Sequence, residues 1–276
     1  MGTMHHQYVS MNGKLLKAGE PQIAALSSAS LYGKGVFTTC SIRDIDVFLW
    51  EKHWRRLREN AVKLGIDISA FSEELIRSAV DELIRANGVR DGRMRITFLD
   101  ESPSGTWPYK SEQKTSLLIT AAGGHPRIQH FRLTISPYRG NSSSPLAGVK
   151  SCNYLENILA LDEAKSRGFV EAVRLNERGE IASASMANIF WLREGRLYTP
   201  GLSTGCLPGT TREFVLENLE CSEVNEPIDS LQAAGAIFLS SAGLGIVAVA
   251  EFDNRGLSPI EHPICDLVAL KQKRDR

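Results

Sequence analysis

Pro145-Leu146-Ala147-Gly148-Val149-Lys150 sets one lysine at the end of a mostly apolar run, just ahead of a segment with helical spacing from Asn153 to Ser166. A lysine desolvated in such a pocket has a lowered pKa and serves as nucleophile or base. On composition alone, a surface lysine beside a helix start accounts for the same letters. Downstream, Pro208-Gly209-Thr210-Thr211-Arg212 opens a helix with small and hydroxyl residues. Its first backbone N–H groups and the positive end of its dipole suit an anion, although a threonine that merely caps the helix reads the same way. Leu239-Ser240-Ser241-Ala242-Gly243 follows a strand and offers either further donors or an ordinary polar turn.

Working outward, the chain alternates helical and strand periods. Tyr8-Val9-Ser10-Met11, Asn12-Gly13 and Lys14-Leu15-Leu16 predict a hairpin with a two-residue turn. Strands are expected at Leu31–Ser41, Asp44–Leu49, Arg93–Leu99 and Thr115–Ala121. Helices are expected at Leu49–Leu64 and Phe71–Ala86, the second capped by Ser72 and closed by Gly88. The pattern breaks at Gly123-Gly124-His125-Pro126, which predicts a smaller domain over 1–122, a linker over 123–128 and a larger domain over 129–276. In the second half, strands are expected at Phe131–Pro137, Val170–Leu175, Ser185–Leu192, Arg196–Thr199, Ala236–Ser240 and Ile246–Phe252. Helices are expected there at Asn153–Ser166, Thr211–Leu219 and Ile260–Lys273. The class is α+β with two domains.

Composition narrows the function. Lysine plus arginine balances aspartate plus glutamate at 32 each, so the charge field that phosphate backbones require is lacking and nucleic acid is not an expected partner. Five widely spaced cysteines suggest neither a disulfide framework nor a zinc site, and no metal is expected. Neither a signal peptide nor a membrane span is expected, and a reducing cytoplasm fits best. The phosphate-loop, zincin and nucleophile-elbow motifs are missing, and Gly33-Lys34-Gly35 does not continue into a dinucleotide fingerprint.

Several motifs, taken in order, resemble the fold-type IV pyridoxal 5′-phosphate (PLP) enzymes, the class-IV aminotransferase family. They are Leu31-Tyr32-Gly33-Lys34-Gly35-Val36-Phe37-Thr38-Thr39, His53-Trp54-Arg55-Arg56-Leu57, Gly148-Val149-Lys150, Asn188-Ile189-Phe190 with Tyr198-Thr199-Pro200, and Gly209-Thr210-Thr211-Arg212. The likeness runs from about Tyr8 to Ile246. It implies a small N-terminal α/β domain and a larger, barrel-like C-terminal domain that binds PLP, as in D-amino-acid aminotransferase. It also implies a homodimer with the site at the domain boundary. By this resemblance Lys150 carries the cofactor as a Schiff base and shuttles protons, and Arg56 grips its phosphate. Thr210 and Thr211 at their helix start, with Ser240 and Ser241, supply further phosphate donors. Tyr154 lies near a tyrosine that touches the cofactor ring in some members, and Tyr32 and Thr38 fall where substrate contacts are expected.

One position departs from the pattern. Counting between Gly179 and Asn188, Ser183 stands where the family has the glutamate that pairs with the pyridine nitrogen. Serine donates a hydrogen bond but cannot stabilise a pyridinium charge. Glu180, three positions away, points to the opposite strand face and is no substitute. A weaker electron sink disfavours transamination more than elimination, in which electrons leave with the departing group. Ser136-Pro137-Tyr138-Arg139, Pro145-Leu146-Ala147-Gly148 and Leu244-Gly245-Ile246 likewise resemble the family's aminodeoxychorismate lyases. The arginine- and glycine-rich loop that some of those lyases carry is not found in Asp100-Glu101-Ser102-Pro103-Ser104-Gly105. Three readings follow: a lyase releasing pyruvate and 4-aminobenzoate, an aminotransferase of the branched-chain or D-amino-acid type, or a PLP-binding protein that has lost catalysis.

Overall fold

The computed structural model describes residues 7–104, 112–123 and 130–274. Most of the expected linker and the stretch from Gly105 to Lys110 therefore lie outside the described residues. Two compact units emerge: Met1–Pro126 with Val149–Asn153, and Arg127–Gly148 with Tyr154–Arg276. The short segment that holds Lys150 thus groups with the first unit, although it follows the expected linker in the chain.

The first unit contains β1 (Tyr8–Met11), β2 (Lys14–Lys17), α1 (Ser28–Tyr32), β3 (Gly35–Arg43), β4 (Asp46–Val47), α2 (Trp50–Lys63), α3 (Glu73–Asn87), β5 (Gly92–Asp100) and β6 (Thr115–Gly123). Its six strands form one antiparallel sheet in the order β2-β1-β6-β5-β3-β4. The two long helices bury Leu57, Ala61, Ile76, Val80 and Leu83 against Val36, Cys40, Ile42, Met94, Ile96 and Phe98 of the sheet. Truncating one of these aliphatic side chains to alanine costs roughly 2–5 kcal/mol. Ser72 accepts a hydrogen bond from Leu75 N–H at the start of α3, and Gly88 caps its end, as expected.

Two expectations fail here. Leu31 and Tyr32 belong to α1, whose N-cap Ser27 accepts from Ser30 N–H, so β3 begins only at Gly35. The expected strand Asp44–Leu49 shrinks to β4, because Asp44, Ile45 and Leu49 adopt positive φ and turn the chain into α2.

The second unit contains β7 (Arg132–Ile135), α4 (Leu155–Ser166), β8 (Glu171–Leu175), β9 (Ile181–Ala184), β10 (Asn188–Arg193), β11 (Arg196–Pro200), α5 (Thr210–Asn218), β12 (Cys221–Val224), α6 (Asp229–Gln232), β13 (Ala236–Ser241), β14 (Gly245–Ala248), β15 (Glu251–Phe252), β16 (Arg255–Gly256) and α7 (Pro263–Arg274). Two five-stranded sheets form, β12-β11-β10-β13-β14 and β16-β15-β7-β8-β9. Val173, Ile181, Ile189, Trp191, Leu239 and Phe252 pack into one core shared by both sheets. The expected strand Ser185–Leu192 starts at Asn188 instead, because residues 185–187 form the turn between β9 and β10. The expected strand Ile246–Phe252 divides into β14 and β15.

Candidate active site

Lys150 is held by main-chain pairing. Phe37 N–H donates to Lys150 O at 3.0 Å, Cys152 N–H donates to Gly35 O at 2.8 Å, and Val36 and Ser151 form an antiparallel bridge. β4 pairs only with Ile42 and Arg43 at the far end of β3, which leaves this edge for the lysine segment. A Cβ on Gly35 would meet Cys152 Sγ and Phe98 O at 2.9 Å each, so the close approach requires glycine.

The lysine amine lies 4.5 Å from the centroid of the Phe37 ring, and the guanidinium carbon of Arg95 lies 3.5 Å from the same centroid. Arg95 is exposed and sits opposite Thr39 in the β3–β5 register. Burial, then the charges of Arg56 and Arg95, push the Lys150 amine from 10.5 down to about 7. A far larger share of it is therefore neutral at pH 7 than of an ordinary lysine.

Arg56 reaches the site from α2, where it lies one turn beyond His53 on the same helix face. Thr38 shares the strand face of Val36 and Cys40 that packs against this helix. Thr38, His53 and Arg56 are 1%, 1% and 7% exposed. Arg56 Nη2 donates to Thr38 Oγ1 at 2.9 Å, and Thr38 Oγ1 lies 2.6 Å from His53 Nδ1. Burial, then the charges of Arg56 and Lys150, hold His53 well below the usual histidine range, so its ring is neutral. Burial pushes the neighbouring Cys40 thiol up to about 12, which leaves it inert.

The remaining expected residues belong chiefly to the second unit. Gly209 caps α5, and Thr210 and Thr211 begin it, both buried. A Cβ at Gly209 would collide with Asn188 Oδ1, so the helix start is packed directly on that asparagine. Asn188 Nδ2 donates to Leu207 O at 2.8 Å, and Asn188 pairs in register with Ser240 on β13. Ser240 is 1% exposed, and its hydroxyl has no hydrogen-bond partner among the described residues. Ser241 Oγ accepts from Leu244 N–H at 3.2 Å, closing the turn into β14.

Tyr154 is half-buried at the N-cap of α4, while Tyr32 ends α1 in the first unit, 44% exposed. Ser183 is half-buried and faces Arg174 across the β8–β9 pair. Neither nearby carboxylate serves it. Glu180 is bound by Arg178 and Asn176, and Glu171 accepts from Ala172, Ser185 and Met186 N–H. The structure thus brings Lys150, Arg56 and Thr38 together in the first unit, and Thr210, Thr211, Asn188 and Ser240 together in the second.

Sequence reading missed Arg95 and gave His53 no role. The i, i+3 spacing of His53 and Arg56 carries a legible signal; the stacking of Arg95 on Phe37 depends on strand pairing and has none.

A neutral amine beside cationic groups suits condensation with an anionic aldehyde, and a glycine-started helix with an orphaned buried hydroxyl suits a phosphate. The residues of each unit therefore fit PLP. Residues 35–252 match the family Amino-transferase class IV, and the chain belongs to it. PLP is the cofactor of this family. The chain is 30% identical over 257 residues to a putative branched-chain-amino-acid aminotransferase of Methanocaldococcus jannaschii, covering 90% of this chain and 88% of that one. It is 28% identical over 250 residues to aminodeoxychorismate lyase of Bacillus subtilis, covering 87% and 84%. Among solved structures, a branched-chain aminotransferase from Thermoproteus uzoniensis with norvaline superposes with a TM-score of 0.88 at 27% identity, covering 97% of this chain and 94% of that one. No helix among the described residues is long and apolar enough to cross a membrane.

Proposed function

We propose that Lys150 holds PLP through its amine, that Arg56 binds the phosphate, and that the N–H groups starting α5 at Thr210 and Thr211, with the Ser240 hydroxyl, are further phosphate donors. The observation that carries this reading is the placement of Lys150, pinned along the edge of β3 with its amine 4.5 Å from the Phe37 ring on which Arg95 also stacks, where burial and two guanidinium groups lower its pKa. PLP, when bound to a substrate amine, withdraws electrons from its Cα. The chain's own residues do the rest. Lys150, partly neutral at pH 7, takes the Cα proton and returns it as an ammonium donor. Arg95, exposed and stacked on the ring that also faces Lys150, receives a substrate carboxylate. Borohydride reduction followed by peptide mapping tests the assignment: the label is expected on Lys150, and an unlabelled or differently labelled chain overturns it.

Elimination of pyruvate from 4-amino-4-deoxychorismate, giving 4-aminobenzoate, is the favoured reaction. Its support is Ser183, which stands where the family has its glutamate and whose cross-strand partner is Arg174, itself paired with Glu156, while Glu180 and Glu171 are engaged elsewhere. Release of 4-aminobenzoate by PLP-loaded protein is the expected result, and its failure removes this reading. Transamination is the second reading, favoured by the 30% identity to the Methanocaldococcus protein. An amino donor would then convert bound PLP to its amine form, and silence across a broad donor panel removes it.

A homodimer is also proposed, supported by Leu155, Ile158 and Leu159, which α4 leaves 63%, 38% and 50% exposed. Sedimentation at the monomer mass overturns it.

A further inference from the structure

We infer that Thr38 and His53 are positioning residues, forming a directed hydrogen-bond relay that fixes the Arg56 guanidinium for a phosphate monoester. This rests on the reading of Arg56 as the phosphate ligand. The direction follows from proton counting. A guanidinium has only donors, so Thr38 Oγ1 accepts from Arg56 Nη2 at 2.9 Å. The threonine hydroxyl then has one proton left; its close neighbour is His53 Nδ1 at 2.6 Å, with the Cys40 sulfur a much weaker acceptor beside it. His53 Nδ1 is therefore the acceptor, and the neutral ring carries its proton on Nε2. A protonated ring would set two donors against the same oxygen and leave its proton only the Cys40 sulfur, a weak acceptor, in a buried site.

The relay is anchored at both ends by regular structure. His53 and Arg56 stand one turn apart on α2, and Thr38 is held in β3 by its pairing with Ile96 of β5. A long arginine side chain otherwise loses rotamer freedom when it meets its ligand. Here that freedom is removed beforehand, so the gain falls on the phosphate and not on the aldehyde end of the cofactor.

The test compares PLP with pyridoxal, which lacks the phosphate, on full-length protein stripped of cofactor. Thr38→Val and His53→Leu are expected to weaken PLP binding on the order of tenfold or more, the value of one hydrogen bond to a charged group, while leaving pyridoxal binding nearly unchanged. Thr38→Ser keeps the hydroxyl, and His53→Asn offers an amide oxygen near the Nδ1 position; both are expected to restore much of the loss. Should Thr38→Val not fold, Thr38→Ala makes the same deletion without a new buried methyl group, with circular dichroism reporting the fold. Equal weakening of both compounds, or of neither, overturns the relay. Wild-type protein that binds no PLP at Lys150 overturns the parent reading instead.

Discussion

In the second unit the guanidinium of Arg212 meets Glu223, that of Arg174 meets Glu156 at 3.1 Å, and that of Arg193 meets Glu226 at 3.0 Å. In the first unit Arg77 meets Glu51 at 2.9 Å and Arg90 meets Asp44 at 2.6 Å, all four side chains being well exposed. Around Lys150 the charges that move the amine are those of Arg56 and Arg95, and those that move His53 are Arg56 and Lys150. Like charges gathered in a desolvated place weaken the fold; opposite charges brought together hold it. The difference separates a scaffold from a binding site. The named guanidinium groups of the second unit each meet a carboxylate, while around Lys150 the electrostatic influence comes from other cations, an arrangement that would attract an anion.

The largest effect that can break this comparison is at the lysine. Lys150→Met is expected to lower activity on the order of 10³-fold or more, since it removes both the cofactor's attachment and the proton carrier. The same change is expected to raise the thermal midpoint of the cofactor-free protein, because a desolvated cation leaves a positive cluster. A lowered midpoint would contradict the picture of gathered charge. Glu223→Gln should do the reverse in the second unit. Arg212 is 4% exposed and would keep its bond to Pro200 O at 2.8 Å, but lose its charged partner. A loss of about 1–3 kcal/mol is expected in denaturant unfolding, and an unchanged midpoint would show the pair to be idle.

A pH profile sharpens the contrast. The Lys150 amine, lowered to about 7, is protonated below that value and neutral above it. Capture of PLP by stripped protein should therefore slow about tenfold per pH unit below 7 and level off above it. Arg95→Gln should move the midpoint upward, since it removes one of the charges that depress the amine. A midpoint near 10 in the unaltered protein would mean that the amine is solvated.

What the letters disclosed follows from the range of the interactions. The apolar run to Lys150, the helix start at Gly209 and the helix bearing Arg56 are local patterns, and each stands where sequence reading expects it. The cap at Ser27 is local too, but its apolar continuation through Leu31 and Tyr32 reads as strand. Ile45, a β-branched residue with φ 68°, adopts a conformation that its side chain disfavours, so no propensity announces the turn there. Arg95 becomes part of the site only because β5 lies beside β3 in one register. Thr38 looks like a substrate contact in sequence, yet its hydroxyl is taken up by His53 and Arg56 once the helix docks on the strand.

The smallest predicted effect concerns Glu171, a buried acid of the second unit that is held by backbone donors. Its oxygens accept from Ala172 N–H at 2.9 Å, Ser185 N–H at 3.0 Å and Met186 N–H at 3.1 Å. These bonds favour the carboxylate, but burial outweighs them and raises its pKa above 4.5. The native state therefore holds its proton to higher pH than the unfolded chain does. Its contribution to stability is fully present below about 4.5 and is lost as pH rises through the native value. Glu171→Gln has no such proton. Urea unfolding of both proteins from pH 4 to 8 should show wild type losing ground to the variant across that window, then running parallel to it. A gap that instead widens in favour of wild type as pH rises would mean that the three N–H groups outweigh burial. The turn between β9 and β10 would then be held by a charge, as the site around Lys150 is.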